Sequence, residues 1–299
     1  MKSLFMSNQV TLYFKKAGML TTVQDFGRPQ YQHFGIPVGG VMDKFSAKEA
    51  NRLVGNQSEA PVFEITLMGP EIEFSEPCQI AITGADLSAT LNGMPIENYQ
   101  TINVPTDGLL KFGRLTSGCR AYLSIGGEMN ISSWLGSSGA INFEAMALTP
   151  NSLIKKGSSI YIHEASQIDV RSTPKNQIPI LKPEISVRVI EGPEFSLFSK
   201  NDRDFFFDQK FKITTNSNRM GCRITPSISN YNQSKELISS GIVPGTIQVT
   251  NSGQPIILLA DAQTTGGYLR IVNIVSSDLD KIAQLKPGDK VSFDLMTLS

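Results

Sequence analysis

Short runs in which apolar and polar residues alternate dominate this chain. FEITL places Phe63, Ile65 and Leu67 on one face, and YLSIGG does the same with Leu123 and Ile125. A period of two marks a β-strand with one covered face. Gly, Pro and Asn separate the runs. Asn92 and Gly93, between LSATL and MPIEN, suit the two positive-φ positions of a type I′ turn and predict a hairpin. The period changes to that of a helix after Ser46, which forms a capping-box pattern with Glu49. Ala47, Ala50, Leu53 and Val54 line one face, and Gly55 supplies the stop. A shorter helix is expected from Ser277, carrying Leu279, Ile282 and Ala283. The predicted fold class is mainly β with a few short helices.

The pattern repeats. LMGPEIEF at 67–74 resembles VIEGPEF at 189–195, and SLIKKGSSIYI at 152–162 resembles KIAQLKPGDKVSF at 281–293. In each half a Gly-Pro-Glu turn is followed by a Lys-x-Gly turn and a last alternating strand, an order that predicts duplication. Recurrent turns in any β protein are the plainer alternative. The 299 residues exceed a typical domain of roughly 100 to 200 residues. Two halves are therefore expected, 1–168 and 184–299, joined by SQIDVRSTPKNQIPILKP, which has three prolines and no strand period.

Charge and composition narrow the function. Lys plus Arg and Asp plus Glu both total 27, with no block of one sign, which disfavours nucleic acid and anionic membranes as partners. No stretch reaches the roughly 18 uninterrupted apolar residues of a spanning helix. The opening MKSLFMSNQVTLYF is broken by Ser7, Asn8 and Gln9 and does not read as a signal peptide. A soluble, cytoplasmic protein is expected. Cys78, Cys119 and Cys222 are odd in number and form no CxxC pair, and His33 and His163 are the only histidines. Neither a disulfide framework nor a metal centre is predicted.

Three segments concentrate groups able to do chemistry. TTVQDFGRPQYQHFGIPVGGVMD, from Thr21 to Asp43, combines Asp25, Arg28 and Asp43 with glycines including Gly39 and Gly40, and runs into the predicted helix. Such a loop can hold an anion, or Asp43 can simply cap the helix while Arg28 pairs with Asp25. TTNSNRMGCRI carries Asn218, Arg219 and Arg223. Its guanidiniums suit a carboxylate or phosphate, and its amides suit a lactam or urea edge, unless it is a solvated turn. SGIVPGTIQVTNSGQPIILLADAQTTGGY carries Gln248 and a buried-looking strand, IILLA, that ends in Asp261, Gln263 and Thr264, with Tyr268 beyond. Polar groups emerging where an apolar strand surfaces are a usual place for a site, although Asp261 is also a good turn residue. No GxxxxGK[ST], strand-linked GxGxxG, GxSxG or HExxH motif is present.

Taken together, TTVQDFGR, GIPVGGVMD, ANRLVGN, TGADL, LSIGGE followed by WLGSS, SNRMGCR, VPGTIQV and DAQTTGGY resemble the KipA-like family. That family, also called allophanate hydrolase subunit 2, includes the C subunit of 5-oxoprolinase and the carboxyltransferase part of urea carboxylase. The similarity runs from about Thr21 to about Phe293. It implies two related cyclophilin-like β-barrel domains. It also implies partner chains, a KipI-like B subunit together with a LamB/YcsF-like A subunit. The chain departs from the pattern after LGS, where Ser138 stands in place of the usual Arg.

The activity this resemblance implies is that of the C subunit of an ATP-dependent 5-oxoprolinase, opening the lactam to glutamate. ATP with Mg2+ is then required by the complex. Alternatives are a biotin-dependent carboxyltransferase acting on urea or another small amide, where biotin would enter, and a regulator that antagonises a KipI-like kinase inhibitor. On the 5-oxoprolinase reading Asp25, Asp43 and Asp261 form the catalytic set. Arg219 and Arg223 hold a carboxylate or phosphate, Gln263 joins Asp261 at the lactam, and Arg28 lies with Asp25 and Asp43. Gly39, Gly40, Asn218, Gln248, Thr264 and Tyr268 complete the expected substrate contacts.

Overall fold

The computed structural model describes residues 9–141, 148–165, 167–228 and 237–296. The chain forms two compact units, one of residues 1–27 with 43–181 and the other of residues 28–42 with 182–299. The sequence assigns 28–42 to the N-terminal half, whereas the fold places it in the C-terminal unit. The cause is local: Met42 is buried in that unit's core, and the Gly39 amide donates to the Ala260 carbonyl at 3.1 Å.

The N-terminal unit contains β1 (Val10–Lys16), β2 (Leu20–Gln24), α1 (Lys44–Val54), β3 (Val62–Thr66), β4 (Glu71–Phe74), β5 (Cys78–Asp86), β6 (Thr90–Leu91) and β7 (Met94–Pro95). It continues with β8 (Thr101–Val104), β9 (Gly108–Lys111), β10 (Ser117–Ile125), β11 (Glu128–Asn130) and β12 (Ser159–His163). One sheet runs β11-β12-β1-β4-β9-β6-β7 and a second runs β2-β3-β10-β5-β8. In the first, β1 is antiparallel to β12 and β4, with Leu12 opposite both Ile160 and Phe74. The two sheets share one core that includes Leu12, Phe14, Phe63, Ile72, Phe74, Ile80 and Leu123, and the Phe14 and Phe63 rings meet at 5.3 Å. Burying each such side chain contributes about 1.5 to 3 kcal/mol.

Helix α1 packs across β5 and β10, so those strands are covered on both faces. Thr83 and Thr101 donate to the Ser46 and Leu53 carbonyls at 2.7 and 2.6 Å, which fixes the helix on its sheet. The helix starts earlier than its predicted box. Asp43 is the N-cap and accepts from the Ser46 amide at 2.9 Å and the Ser46 hydroxyl at 2.7 Å. A carboxylate there satisfies orphan amides and meets the positive end of the helix dipole. The predicted hairpin is present between β6 and β7, with Asn92 and Gly93 at φ 52° and 81°.

The C-terminal unit contains β13 (Glu184–Glu191), α2 (Lys200–Asp208), β14 (Phe211–Ile213), β15 (Gly221–Thr225), β16 (Ser240–Gly241), β17 (Thr246–Val249) and β18 (Pro255–Leu258). It ends with β19 (Thr265–Gly266), β20 (Leu269–Ile274), α3 (Leu279–Ala283) and β21 (Lys290–Leu295). Seven of these strands form a closed barrel, β13-β20-β17-β18-β15-β14-β21, completed by parallel pairing of β21 with β13. Closure leaves no exposed edge. Helix α2 is not among the elements expected from the sequence, although Ser199 and Asp202 form its capping box. Its Phe206 stacks on Phe293 of β21 at 4.8 Å and 8°. The helix expected from Ser277 is a 3-10 turn, Ser276–Asp278, that continues into α3.

The two sequence echoes differ in outcome. The Lys-x-Gly turns precede the last strand of each unit, with Gly157 at φ 86° before β12 and Gly288 at φ 98° before β21. Gly69-Pro70-Glu71 opens a strand, β4, whereas Gly192-Pro193-Glu194 leads into a 3-10 turn and α2. Among the described residues no helix is long and apolar enough to cross a membrane.

One ion pair gives the C-terminal unit an acid-sensitive point. Asp278 is buried and accepts from the Arg188 amide and Nε, each at 2.9 Å, with Lys281 also at 2.9 Å. The hydrogen bond from the Arg188 side chain is the main cause that holds its carboxyl well below the usual range. A carboxyl depressed on folding stabilises fully above its unfolded pKa of about 3.9, and that stability is lost as pH falls toward the folded value. Melting temperature is therefore expected to fall with acidification below about pH 4, and Asp278→Asn should lower the neutral-pH melting temperature and flatten that dependence. An unchanged acid profile in the variant would rule out this assignment.

Candidate functional site

In the C-terminal unit the expected residues gather where β18 ends. After Leu258 the chain turns, the Asp261 amide donates to the Arg219 carbonyl at 3.0 Å, and the two side chains lock together. Arg219 Nε and Nη2 donate to the two carboxylate oxygens of Asp261 at 2.8 Å each, and Nη2 also donates to the Gly40 carbonyl at 2.7 Å. Both side chains are buried, each with its residue 7% exposed. Gly39 and Gly40 sit at φ 67° and 84°, a conformation that a Cβ would strain.

Arg219 and Asp261 therefore form a clamp that holds the Gly39–Gly40 turn. In this arrangement the planar fork that would grip a substrate carboxylate is filled by Asp261. Asn218 is also committed: its Oδ1 accepts from the Met220 and Gly221 amides at 2.8 and 3.3 Å, as a turn residue does. Arg28 is buried, and its amide donates to the Val38 carbonyl at 2.8 Å within the same segment.

The outward groups beside the clamp are different in character. Gln263 and Tyr268 are exposed, and Thr264 is half-buried with its carbonyl accepting from the Ile242 amide at 3.0 Å. Beneath them lies Gln248, 1% exposed, whose Nε2 reaches the Tyr268 carbonyl at 3.4 Å. A Cβ on Gly266 would come within 2.7 Å of that Nε2, so the β19 backbone passes close over the buried amide. Arg223 is exposed and donates to Gln254 at 3.2 Å.

The pair that braces this surface is absent from the residues the sequence singles out. Arg270 Nε donates to Glu194 at 2.7 Å and Nη1 donates to the Gly241 carbonyl at 2.9 Å, tying β16 to β20. The Arg270 hydrogen bond is the main cause that lowers the Glu194 pKa. Glu194 belongs to the second Gly-Pro-Glu turn, where the sequence signals a turn and nothing of its partner.

In the N-terminal unit Asp25 is a brace as well. Its Oδ1 accepts from the Gly27 amide at 2.8 Å and the Ser137 hydroxyl at 2.6 Å, and its Oδ2 accepts from the Ser138 amide at 2.6 Å. The contact at Ser138 is thus made by the backbone. Asp43 is absorbed by its cap. The Asp43 amide donates to the Tyr122 hydroxyl at 2.8 Å, and that hydroxyl donates to Glu64 at 2.9 Å. Arg120 approaches Glu64 at 3.9 Å. Burial, then the charges of Glu64 and Asp43, push the Tyr122 phenol well above its ordinary pKa, so it remains a donor at neutral pH. In the sequence Glu64 is only the polar position of FEITL; α1 covers the face to which it points.

Two mainly β units, one of them a closed seven-stranded barrel, define a β-rich protein of barrel-containing architecture. Among the described residues no group of three or more His, Cys, Asp or Glu is placed to hold a metal. The chain belongs to the family described as "Carboxyltransferase domain, subdomain A and B", whose model matches residues 34–295. It is 33% identical over 278 residues to the C subunit of 5-oxoprolinase from Escherichia coli, covering 93% of this chain and 89% of the relative. It is 32% identical over 296 residues to urea amidolyase of Saccharomyces cerevisiae, covering 92% of this chain and only 16% of that protein. The solved urea carboxylase of Kluyveromyces lactis superposes with a TM-score of 0.89 at 31% identity, covering 96% of this chain and 27% of the other. These relatives are components of enzymes.

Proposed function

We propose that the chain is the C subunit of an ATP-dependent 5-oxoprolinase, working with KipI-like and LamB/YcsF-like partner chains. The observation that carries this reading is the extent of the match to the Escherichia coli relative, of which 89% is covered. ATP with Mg2+ belongs to the complex as a whole. It supplies the driving force that plain water lacks against a lactam, by making the amide oxygen a leaving group. This chain then supplies positioning and hydrogen bonds. Gln263 and Tyr268 bind the amide edge and Arg223 the carboxylate, while Arg219, Asp261 and Gln248 hold the surface that carries them.

A second reading, a carboxyltransferase of a biotin-dependent urea or amide carboxylase, is favoured by the family model and by the likeness to urea carboxylase. The two are separated by reconstituting the chain with its partner chains. ATP-dependent glutamate release from 5-oxoproline is expected; ATP- and biotin-dependent carboxylation of urea instead would overturn the first reading. In the active complex Gln263→Ala and Tyr268→Phe should each lower kcat/KM about tenfold, the value of one lost hydrogen bond of about 1.4 kcal/mol, with no change in melting temperature. Wild-type kinetics in both variants would remove these residues from the site.

A further inference from the structure

A groove on the N-terminal unit has no part in the surface described above. It encloses about 430 Å³ between the outer face of α1 and the strap 168–173, and Phe45, Lys48, Glu49, Arg52, Ile168 and Arg171 line it. The strap is firmly attached. Gln79 exchanges hydrogen bonds with the Ile168 amide and carbonyl, each at 2.8 Å, and the Arg171 amide donates to Thr101 at 3.0 Å. Thr173 donates to Glu49, and Arg171 Nη1 donates to the Arg52 carbonyl at 2.9 Å. The walls are therefore built, and the groove does not depend on a loose segment.

Its charge is unbalanced. Glu49 is already bound by Arg52 through two bonds, at 2.8 and 2.7 Å, and that contact is the main cause that lowers its pKa. Lys48 lies over the Phe26 ring at 5.2 Å, and neither Lys48 nor Arg171 has a carboxylate partner among the described residues. Among the lining residues Lys48, Arg52 and Arg171 thus face one spent carboxylate, with Asp169 exposed on the strap outside the lining, in a chain whose total charge is zero. Phe45 is 40% exposed beside them, and Ile168 supplies a further apolar surface. Cations around an apolar floor match an extended acidic segment with one apolar anchor, since such a segment meets both features at once.

We propose that this groove docks an acidic segment of a partner chain, with an apolar side chain on Phe45 and Ile168 and carboxylates at Lys48 and Arg171. Binding here is independent of the reaction the complex performs. A fluorescein-labelled peptide of sequence Glu-Glu-Leu-Glu-Glu, titrated with the full chain and followed by anisotropy, should bind at least about tenfold more tightly than Lys-Lys-Leu-Lys-Lys. Raising salt from about 50 mM to about 500 mM should weaken it several-fold. Lys48→Glu combined with Arg171→Gln should weaken it about tenfold, with a small fall in melting temperature from loss of the Arg171 bond to the Arg52 carbonyl, whereas Lys48→Glu alone, at an exposed side chain, should leave the melting curve unchanged. Lys48→Glu alone provides the same readout if the strap is disturbed by the pair. Equal binding of the two peptides, or of wild type and Lys48→Glu, would overturn the proposal. So would competition by free glutarate as effective as that of unlabelled peptide, which would mark a site for small anions instead.

Discussion

Arg219→Ala is expected to destabilise the C-terminal unit by about 3 to 5 kcal/mol, the cost of stranding a buried charge by removing its partner. The stranded group is Asp261, 7% exposed and paired bidentately with Arg219. The same substitution removes the donor to the Gly40 carbonyl, so the 28–42 segment loses an anchor as well. Urea denaturation gives the magnitude, and hydrogen exchange at the Gly39 amide reports the segment. A double variant, Arg219→Met with Asp261→Leu, should recover most of the lost stability, since replacing both ions with apolar groups of similar size leaves no unpaired charge. Activity should not return with it if the clamp also sets the position of Gln263 and Tyr268. Full stability in the single variant would show that the pair contributes little, and full activity in the double variant would show that the clamp has no positioning role.

Asp25→Ala is expected to cost about 3 kcal/mol in the N-terminal unit, where three donors converge on this one carboxylate. They are the Gly27 amide, the Ser137 hydroxyl and the Ser138 amide, and alanine would leave all three without their acceptor. Each buried unsatisfied group costs about 1 to 3 kcal/mol, and the total is less than the sum because the loop can relax toward water. Hydrogen exchange at the Ser138 amide should accelerate more than that of the β10 core amides, which separates loss of the brace from general unfolding. Uniform acceleration, or none, would contradict this role.

The contrast between these carboxylates explains how much of the candidate site is legible in the sequence. Asp25, Asp43 and Asp261 stand out there because an acid among glycines near an element boundary rarely lacks a partner. The partners themselves cannot be read from spacing. Asp43 meets Ser46 within one helical turn, and capping is already an alternative that the sequence offers. Asp261 meets Arg219 across 42 residues and Asp25 meets Ser138 across 113, distances that only pairing of remote strands can close. A group that looks available in the sequence is then found paired, and what the structure shows of it is the backbone it holds.

Local chemistry alone determined the β class, the Asn92-Gly93 hairpin, the existence of α1 with its Gly55 stop, and the turns before β12 and β21, because each depends on φ preferences and periodicities within a few residues. The order of family motifs along the chain likewise carried the family. Only the tertiary structure decided that residues 28–42 leave the first unit for the second, that Glu64 lies buried beside Tyr122 and Arg120, and that Arg219 grips Asp261. Each of those outcomes depends on which surface covers a given face. A polar position in an alternating strand is solvated or buried according to whether a helix such as α1 lies over it, and the strand's own sequence reads the same in both cases.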